Sequence, residues 1–168
     1  MKELEIITTG GTIDKVYFDD QSDYQIGEPE IGKILHALNV NFNITINALM
    51  RKDSLYLDAA DRALIRAAVV ASEAGHILIT HGTDTMVETA AKLSSISGKT
   101  VILTGSLSPA RFKTTDAIFN IGMAVAAVQS VEPGVYLVMN GQVFAEGEVC
   151  KNSSANRFEK IGESGSGT

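Results

Sequence analysis

The stretch Leu4-Glu5-Ile6-Ile7-Thr8-Thr9-Gly10-Gly11-Thr12-Ile13 decides how this chain is read. Its apolar run has the length of a buried strand. The two glycines that follow permit a tight turn and a close approach of the backbone to a ligand. The turn delivers a hydroxyl, that of Thr12, to the carboxyl end of the strand, and in open α/β sheets ligands bind at that rim. A second element of the same build follows at Ile77-Leu78-Ile79-Thr80-His81-Gly82-Thr83-Asp84-Thr85. Two Gly-Thr turns, each behind a strand, predict a site at the rim of a sheet.

Outward from these two turns, strand-like and helix-like patterns alternate, the signature of a parallel sheet with helices on both faces. Strands are expected at residues 4–9, 42–49, 76–80, 100–104 and 135–139, the last turned by Asn140-Gly141 into a hairpin with 142–145. Helices are expected over 30–38, with Pro29 in the first turn, from 59 to about 74, from the 80s to about 95, and over 116–129. Asp58 is the N-cap of the second helix and Gly75 closes it; Ala60, Leu64, Ala68 and Ala71 share one face of it, Asp58, Arg62 and Arg66 another. Residues 10–27 show no period and read as a long loop, a length that usually signals function. Beyond Val149 no apolar period is visible, and the chain stops on a Gly/Ser-rich composition. The expected fold is α/β, three-layered and flavodoxin-like, with a mostly parallel sheet ending in a β-hairpin. Residues 1–160 form the domain and 161–168 a flexible tail.

Composition narrows the partners. With 168 residues and a net charge of −6, the chain has the size for one disulfide-free core. Its sequence pI near 5.0 argues against nucleic acid and against an anionic membrane surface. Cys150 is the sole cysteine, so no disulfide can form within the chain, and no Cys/His metal motif is present. The first residues lack the apolar core of a leader. The chain therefore reads as cytoplasmic, or as a mature form whose leader has been removed.

Five residues could carry chemistry. Thr12 needs a base or a cationic neighbour before its hydroxyl attacks anything; otherwise it bonds locally to the turn. A dinucleotide loop fits poorly, because the G-x-G-x-x-G spacing is absent. Thr83 and Asp84 lie where a strand passes into a helix, a place that suits a carboxylate, while Asp84 suits an ammonium. Together they would accept an α-amino acid. The alternative is that Thr85-Met86-Val87-Glu88 is a capping box and Asp84 merely favours the helix start. Lys151 matters only if the fold brings it to the Thr83 rim, where it could activate a hydroxyl. Tyr24 could be a proton-shuttling phenol on a mobile lid, or a ring packed over the sheet edge. His36, His76 and His81 read as structural, His81 as a possible hydrogen-bonding neighbour of the site.

These motifs resemble the bacterial-type L-asparaginase family: Thr9-Gly10-Gly11-Thr12-Ile13 matches its first signature and His81-Gly82-Thr83-Asp84-Thr85 its second. The likeness continues through Leu103-Thr104-Gly105-Ser106, Phe119-Asn120 and Val138-Met139-Asn140. The resemblance implies an amidohydrolase that releases ammonia from L-asparagine or a related small amide through a threonine acyl-enzyme. It implies Thr12 as nucleophile, Tyr24 as its activating partner, and Thr83, Asp84 and Lys151 as a second catalytic cluster. It further implies substrate contacts from Gly11, Ser54, Gly82, Thr83 and Asp84, with Ser54 on the α-carboxylate and Asp84 on the α-ammonium. No metal or organic cofactor is needed, and the partners are a small amino-acid amide and further copies of the chain, as a dimer or tetramer.

Two features depart from the family. Leu55 follows Ser54 where a polar residue usually helps hold the amino acid. Family members are also roughly twice as long, with a second domain that completes a neighbour's site, so the chain is a short stand-alone member or a fragment. An amino-acid-binding or sensor module with little turnover is the alternative function. The ammonia-donating component of a tRNA-dependent amidotransferase shares the motifs but would need further domains.

Overall fold

The computed structural model describes residues 1–18 and 23–162. Six strands form the central sheet: β1 (Glu3–Thr8), β4 (Asn43–Ala48), β5 (His76–Thr80), β6 (Thr100–Thr104), β7 (Gly134–Met139) and β8 (Gln142–Ala145). Their order is β4-β1-β5-β6-β7-β8. Every pairing is parallel except that of β7 with β8. The order reverses direction at the β1–β5 boundary, so the carboxyl ends of these two strands flank the switch-point crevice. The two Gly-Thr turns leave from these two strands.

Four helices cover the sheet: α1 (Ile31–Ala37), α2 (Ala59–Ala71), α3 (Met86–Leu93) and α4 (Ala117–Val128). Strands buried on both faces supply side chains alternately to two cores. Ile7, Ile77, Ile79, Val101 and Leu103 pack with Ile65 and Val69 of α2 and Met86, Ala90 and Leu93 of α3. On the other face Leu4, Ile6, Leu78 and Ile102 pack with Ile31 and Leu35 of α1 and Ile121 and Ala124 of α4. The architecture is the expected three-layer α/β fold.

Local chemistry accounts for several boundaries. Asp58 caps α2 in a reciprocal capping box with Asp61. Asn140 and Gly141, at φ 53° and 80°, supply the left-handed pair that a two-residue hairpin between β7 and β8 requires. Asp116 precedes α4 and spends its carboxylate on the amides of Leu107 and Ser108, closing the loop after β6.

Four expectations are corrected. Residues 10–27 are not a featureless loop: Thr12–Asp14 is a 3-10 turn, and β2 (Lys15–Phe18) pairs antiparallel with β3 (Asp23–Ile26). This hairpin stands outside both cores, so it carries no core-facing alternation for a sequence to reveal. The buried stripe of α2 is Asp61, Ile65 and Val69, while Leu64 is 56% exposed. Burying Ile65 and Val69 removes far more apolar area than burying alanines, and Asp61 is satisfied by Lys52 at 2.7 Å. The same helix ends at Ser72, not Gly75, because Ser72 turns extended there. Past Val149 the chain continues as a second hairpin, β9 (Val149–Asn152) with β10 (Arg157–Lys160), pinned by the buried Val149 and Phe158. Of the expected tail, residues 163–168 lie outside the described residues; the amide of Ile161 still donates to Glu148 O. Among the described residues no helix is long and apolar enough to cross a membrane.

Two buried titratable groups lie beneath the rim and oppose each other. Burial holds His81 down from 6.5 to about 4, so it stays neutral in the fold while the unfolded chain takes up a proton below pH 6.5. Stability from this group falls as pH drops towards 4. Burial raises Asp14 from 3.8 to about 6, so the fold takes up a proton that the unfolded chain does not. Its effect has the opposite sign over nearly the same window. At 1.36 kcal/mol per unit each amounts to about 3 kcal/mol, and the two nearly cancel. From the lower end of that window downwards Glu30 and Asp53, whose carboxyls the fold holds low, add an ordinary acid loss. Urea unfolding between pH 6.5 and 4 is therefore expected to give a nearly flat profile for the parent. Asp14→Asn, which removes only the compensating group, should lose about 3 kcal/mol over that interval; parallel curves for the two proteins would refute the account.

Candidate active site

The turn after β1 and the turn after β5 meet backbone against backbone. Gly11 sits at φ 91°, and a Cβ there would lie 2.5 Å from the Cα of Gly82. A Cβ on Gly82 would in turn lie 2.6 Å from Ser54 Oγ. Both positions therefore exclude any side chain, and their contact brings Thr12 and Thr83, one residue further along each turn, to the same part of the rim. The Thr12 hydroxyl makes no hydrogen bond among the described residues. The alternative of a locally bonded Thr12 is thus not met, while the Thr9 hydroxyl before the glycines donates 2.9 Å to Thr80 O on the neighbouring strand.

Lys151 reaches this rim from β9. Its Nζ donates to Thr83 Oγ1 at 2.9 Å and to Asp84 Oδ1 at 2.6 Å. The lysine is largely buried while Asp84 remains half exposed, so the carboxylate keeps an open side towards solvent. An ammonium that donates into a hydroxyl oxygen withdraws charge from it and leaves the hydroxyl proton free for another acceptor. The cluster can thus hold a cationic group on Asp84 and polarise the hydroxyl of Thr83. The capping-box alternative fails geometrically: Thr85 makes no side-chain cap, and its hydroxyl donates 2.8 Å to Ser54 O. That bond ties the Ser54 turn to the start of α3.

Ser54 is 1% exposed, and its hydroxyl has no hydrogen-bond partner among the described residues. A buried hydroxyl without a partner is costly, so Ser54 Oγ, lying against Gly82, is ready to bind a polar group. Asp53 beside it accepts from the amide of Leu55 and pairs with Lys15 of β2 at 3.0 Å. Burial alone would raise the Asp53 carboxyl, but these two partners together hold it below its ordinary range. The pair fastens the β2–β3 hairpin to the turn that carries Ser54. Leu55 itself points largely to solvent.

Tyr24 lies apart from the cluster. It is 45% exposed on β3, with its ring centroid 5.3 Å from that of Tyr17 and 6.2 Å from that of Phe112. No hydrogen bond joins it to Thr12 among the described residues. His81, fully buried, holds the second turn from below. Because a carbonyl only accepts, His81 Nδ1 donates to Gly82 O at 2.7 Å, and Nε2 accepts from Thr89 at 2.8 Å. Burial, the dominant cause of its lowered proton affinity, keeps this tautomer neutral. Lys15, Asp53 and Asp14 are the residues near the rim that sequence reasoning passed over. Isolated charges in a segment without period carry no signal until the fold pairs them.

The comparisons with known proteins agree with this geometry. The family profile for the N-terminal domain of asparaginase matches residues 3–164. A glutaminase-asparaginase from Acinetobacter glutaminasificans is 32% identical over 160 residues, covering 87% of this chain and 48% of that protein. A component of the glutamyl-tRNA(Gln) amidotransferase of Methanococcus vannielii is 28% identical, with 96% of this chain and 39% of that one covered. Among solved structures, the thermostable L-asparaginase from Thermococcus kodakarensis superimposes with a TM-score of 0.82 at 27% identity, covering 95% of this chain and 51% of that one. The chain spans about half the length of the relatives it matches. With the profile running through nearly every residue and both Gly-Thr turns in register on the switch-point strands, the chain belongs to the asparaginase family.

Proposed function

We propose that the chain is an amidohydrolase that releases ammonia from L-asparagine or a related small amide. The observation that carries this reading is Lys151, which crosses from the second hairpin to set its ammonium on both Thr83 and Asp84. A site meant only to hold an amino acid has no need of a hydroxyl polarised in this way.

In this reading Thr12 Oγ attacks the side-chain carbonyl carbon. The C–N bond breaks as the amide nitrogen takes up the proton given up by the Thr12 hydroxyl and leaves as ammonia; water then hydrolyses the threonine ester, returning a proton to Thr12 Oγ and giving the acid. Backbone amides near Gly11 face the developing oxyanion. Ser54, with its unpartnered hydroxyl, receives the α-carboxylate, and Asp84, open on one side, receives the α-ammonium. Thr83 and Lys151 position the attacking water, and Gly82 gives the substrate its close approach. Tyr24 takes part as the activating partner of Thr12 once the β2–β3 hairpin folds over the rim, a motion suited to an exposed hairpin attached at its base. None of these steps calls for a cofactor.

Residues 1–160 constitute the catalytic domain in this account, supported by one sheet and its two cores. We infer further that the chain works as a homo-oligomer, a dimer or tetramer. Leu55 and Tyr56 beside Ser54, with Leu64 and Val70 on α2, leave large apolar side chains exposed along one stretch of chain, and such surfaces mark contacts between proteins.

Ammonia release from L-asparagine by the parent is expected, with L-glutamine as competitor. Thr12→Ala should lower kcat by about 1000-fold or more, and Lys151→Met by about 100-fold. Stoichiometric binding of L-asparagine without turnover by the parent would instead make the chain a binding module. Gly82→Ala should abolish binding of L-asparagine in calorimetry, because the added methyl collides with Ser54; unchanged affinity would contradict the placement of Ser54. In sedimentation the parent should run as a dimer or tetramer, and a fully active monomer would remove the oligomer from the account.

A further inference from the structure

The two turns that carry the hydroxyls are held differently. His81 and the β5 strand end hold the second. The first depends on Asp14, which the proposed chemistry does not use. Asp14 is 3% exposed, yet it carries a carboxyl group. Its amide closes the 3-10 turn of Thr12 on Gly11 O at 3.2 Å, and its own carbonyl accepts from Gly27 at 2.8 Å. Residues 15–27 leave and return through that second bond, so Asp14 and Gly27 form the neck of the β2–β3 hairpin. The carboxylate Oδ1 accepts from the amide of Glu30, at the start of α1, at 2.9 Å. Glu30 is anchored by Arg111 at 2.9 and 2.7 Å and by Lys33 at 3.0 Å. One residue therefore joins the Thr12 turn and the hairpin neck through its backbone, and ties both through its side chain to the start of α1 and, through Glu30, to the loop after β6.

We propose that Asp14 is a positioning residue: its backbone couples the setting of Thr12 to the neck of the β2–β3 hairpin, and its buried carboxylate anchors both to the start of α1. The proposal rests on the reading of Thr12 as nucleophile. A threonine attacking a carbonyl must be held to a fraction of an ångström, and a lid must move. A shared anchor lets the hairpin swing from a fixed base without dragging the hydroxyl, and makes both respond to the charge on Asp14. The charged groups that face it are Glu30 and Lys33 of α1 and Arg51 of the segment after β4. Arg111 lies behind Glu30, and Glu28 pairs with Arg51 at 2.6 Å. Burial raises Asp14 to about 6. Burial outweighs the hydrogen bond from the Glu30 amide, so ionisation favours an open neck in which the carboxylate regains water; the neck is looser above that pH and tighter below it.

The test is residue-resolved amide exchange at Gly27 and Glu30, with kcat and KM measured on the same proteins. In Asp14→Ala both amides should exchange on the order of tenfold faster, while Asp14→Asn, which keeps an acceptor, should restore them. In the parent, protection at both amides, corrected for intrinsic exchange, should fall as pH rises through about 6, and in Asp14→Asn it should be flat. This arm needs only the parent and the isosteric variant, so it stands even if Asp14→Ala does not fold. With turnover present, Asp14→Ala should lower kcat and leave KM nearly unchanged. Unchanged amide rates in Asp14→Ala, or the same pH response in Asp14→Asn, would overturn the coupling. A parent without turnover that shows these amide responses would remove the Thr12 chemistry and leave the coupling standing.

Discussion

The contact on which the site depends is that of two glycines. Gly82 leaves no room for a side chain on Gly11, and Ser54 leaves none for a side chain on Gly82. Three segments distant in sequence are thereby stacked without any intervening side chain. Parallel strands set about 5 Å apart would otherwise splay their connecting turns. The glycines let those turns lean together at the switch point, where the order of the sheet leaves room for a ligand. The threonines that follow inherit their places from this contact.

Around it the polar groups fall into two kinds. Some are satisfied and rigid: His81 between Gly82 and Thr89, Asp61 with Lys52, Glu30 with Arg111. Others have unused capacity at the rim: the hydroxyl of Thr12, that of Ser54, and the open side of Asp84. A buried hydroxyl is normally paired, so the unpartnered Ser54, with Thr12 and Asp84 open beside it, is where a polar ligand would find partners. The satisfied groups below prevent the rim from relaxing onto itself.

How much of this the sequence disclosed follows from where each residue sits. The runs of β5 and β6 were legible because strands buried on both faces are continuous apolar stretches. Asn140-Gly141 was legible because its turn demands those residue types. The face of α2 was misjudged because Ala60, Leu64, Ala68 and Ala71 are spaced as well as Ile65 and Val69, and spacing alone does not weigh side-chain size. The β2–β3 hairpin was hidden because it packs on no core. Thr12, Thr83 and Asp84 stood out locally, whereas the meeting of Lys151 with Thr83, 68 residues apart, belongs to the fold; only the family resemblance anticipated it.

The ribbon formed by β9 and β10 has a consequence for how the site comes into being. It is a separate pair of strands, attached to the sheet and rim through the buried Val149 and Phe158, a hydrogen bond from the Phe158 amide to Asn140, and the Lys151 bonds to Thr83 and Asp84. Small peripheral ribbons open more readily than the sheet they rest on. Lys151 reaches the rim only as part of that ribbon, so its ammonium sits on Thr83 and Asp84 only while the ribbon is docked. A passing detachment would carry the one cation of the cluster away and leave the sheet and both Gly-Thr turns folded as they are.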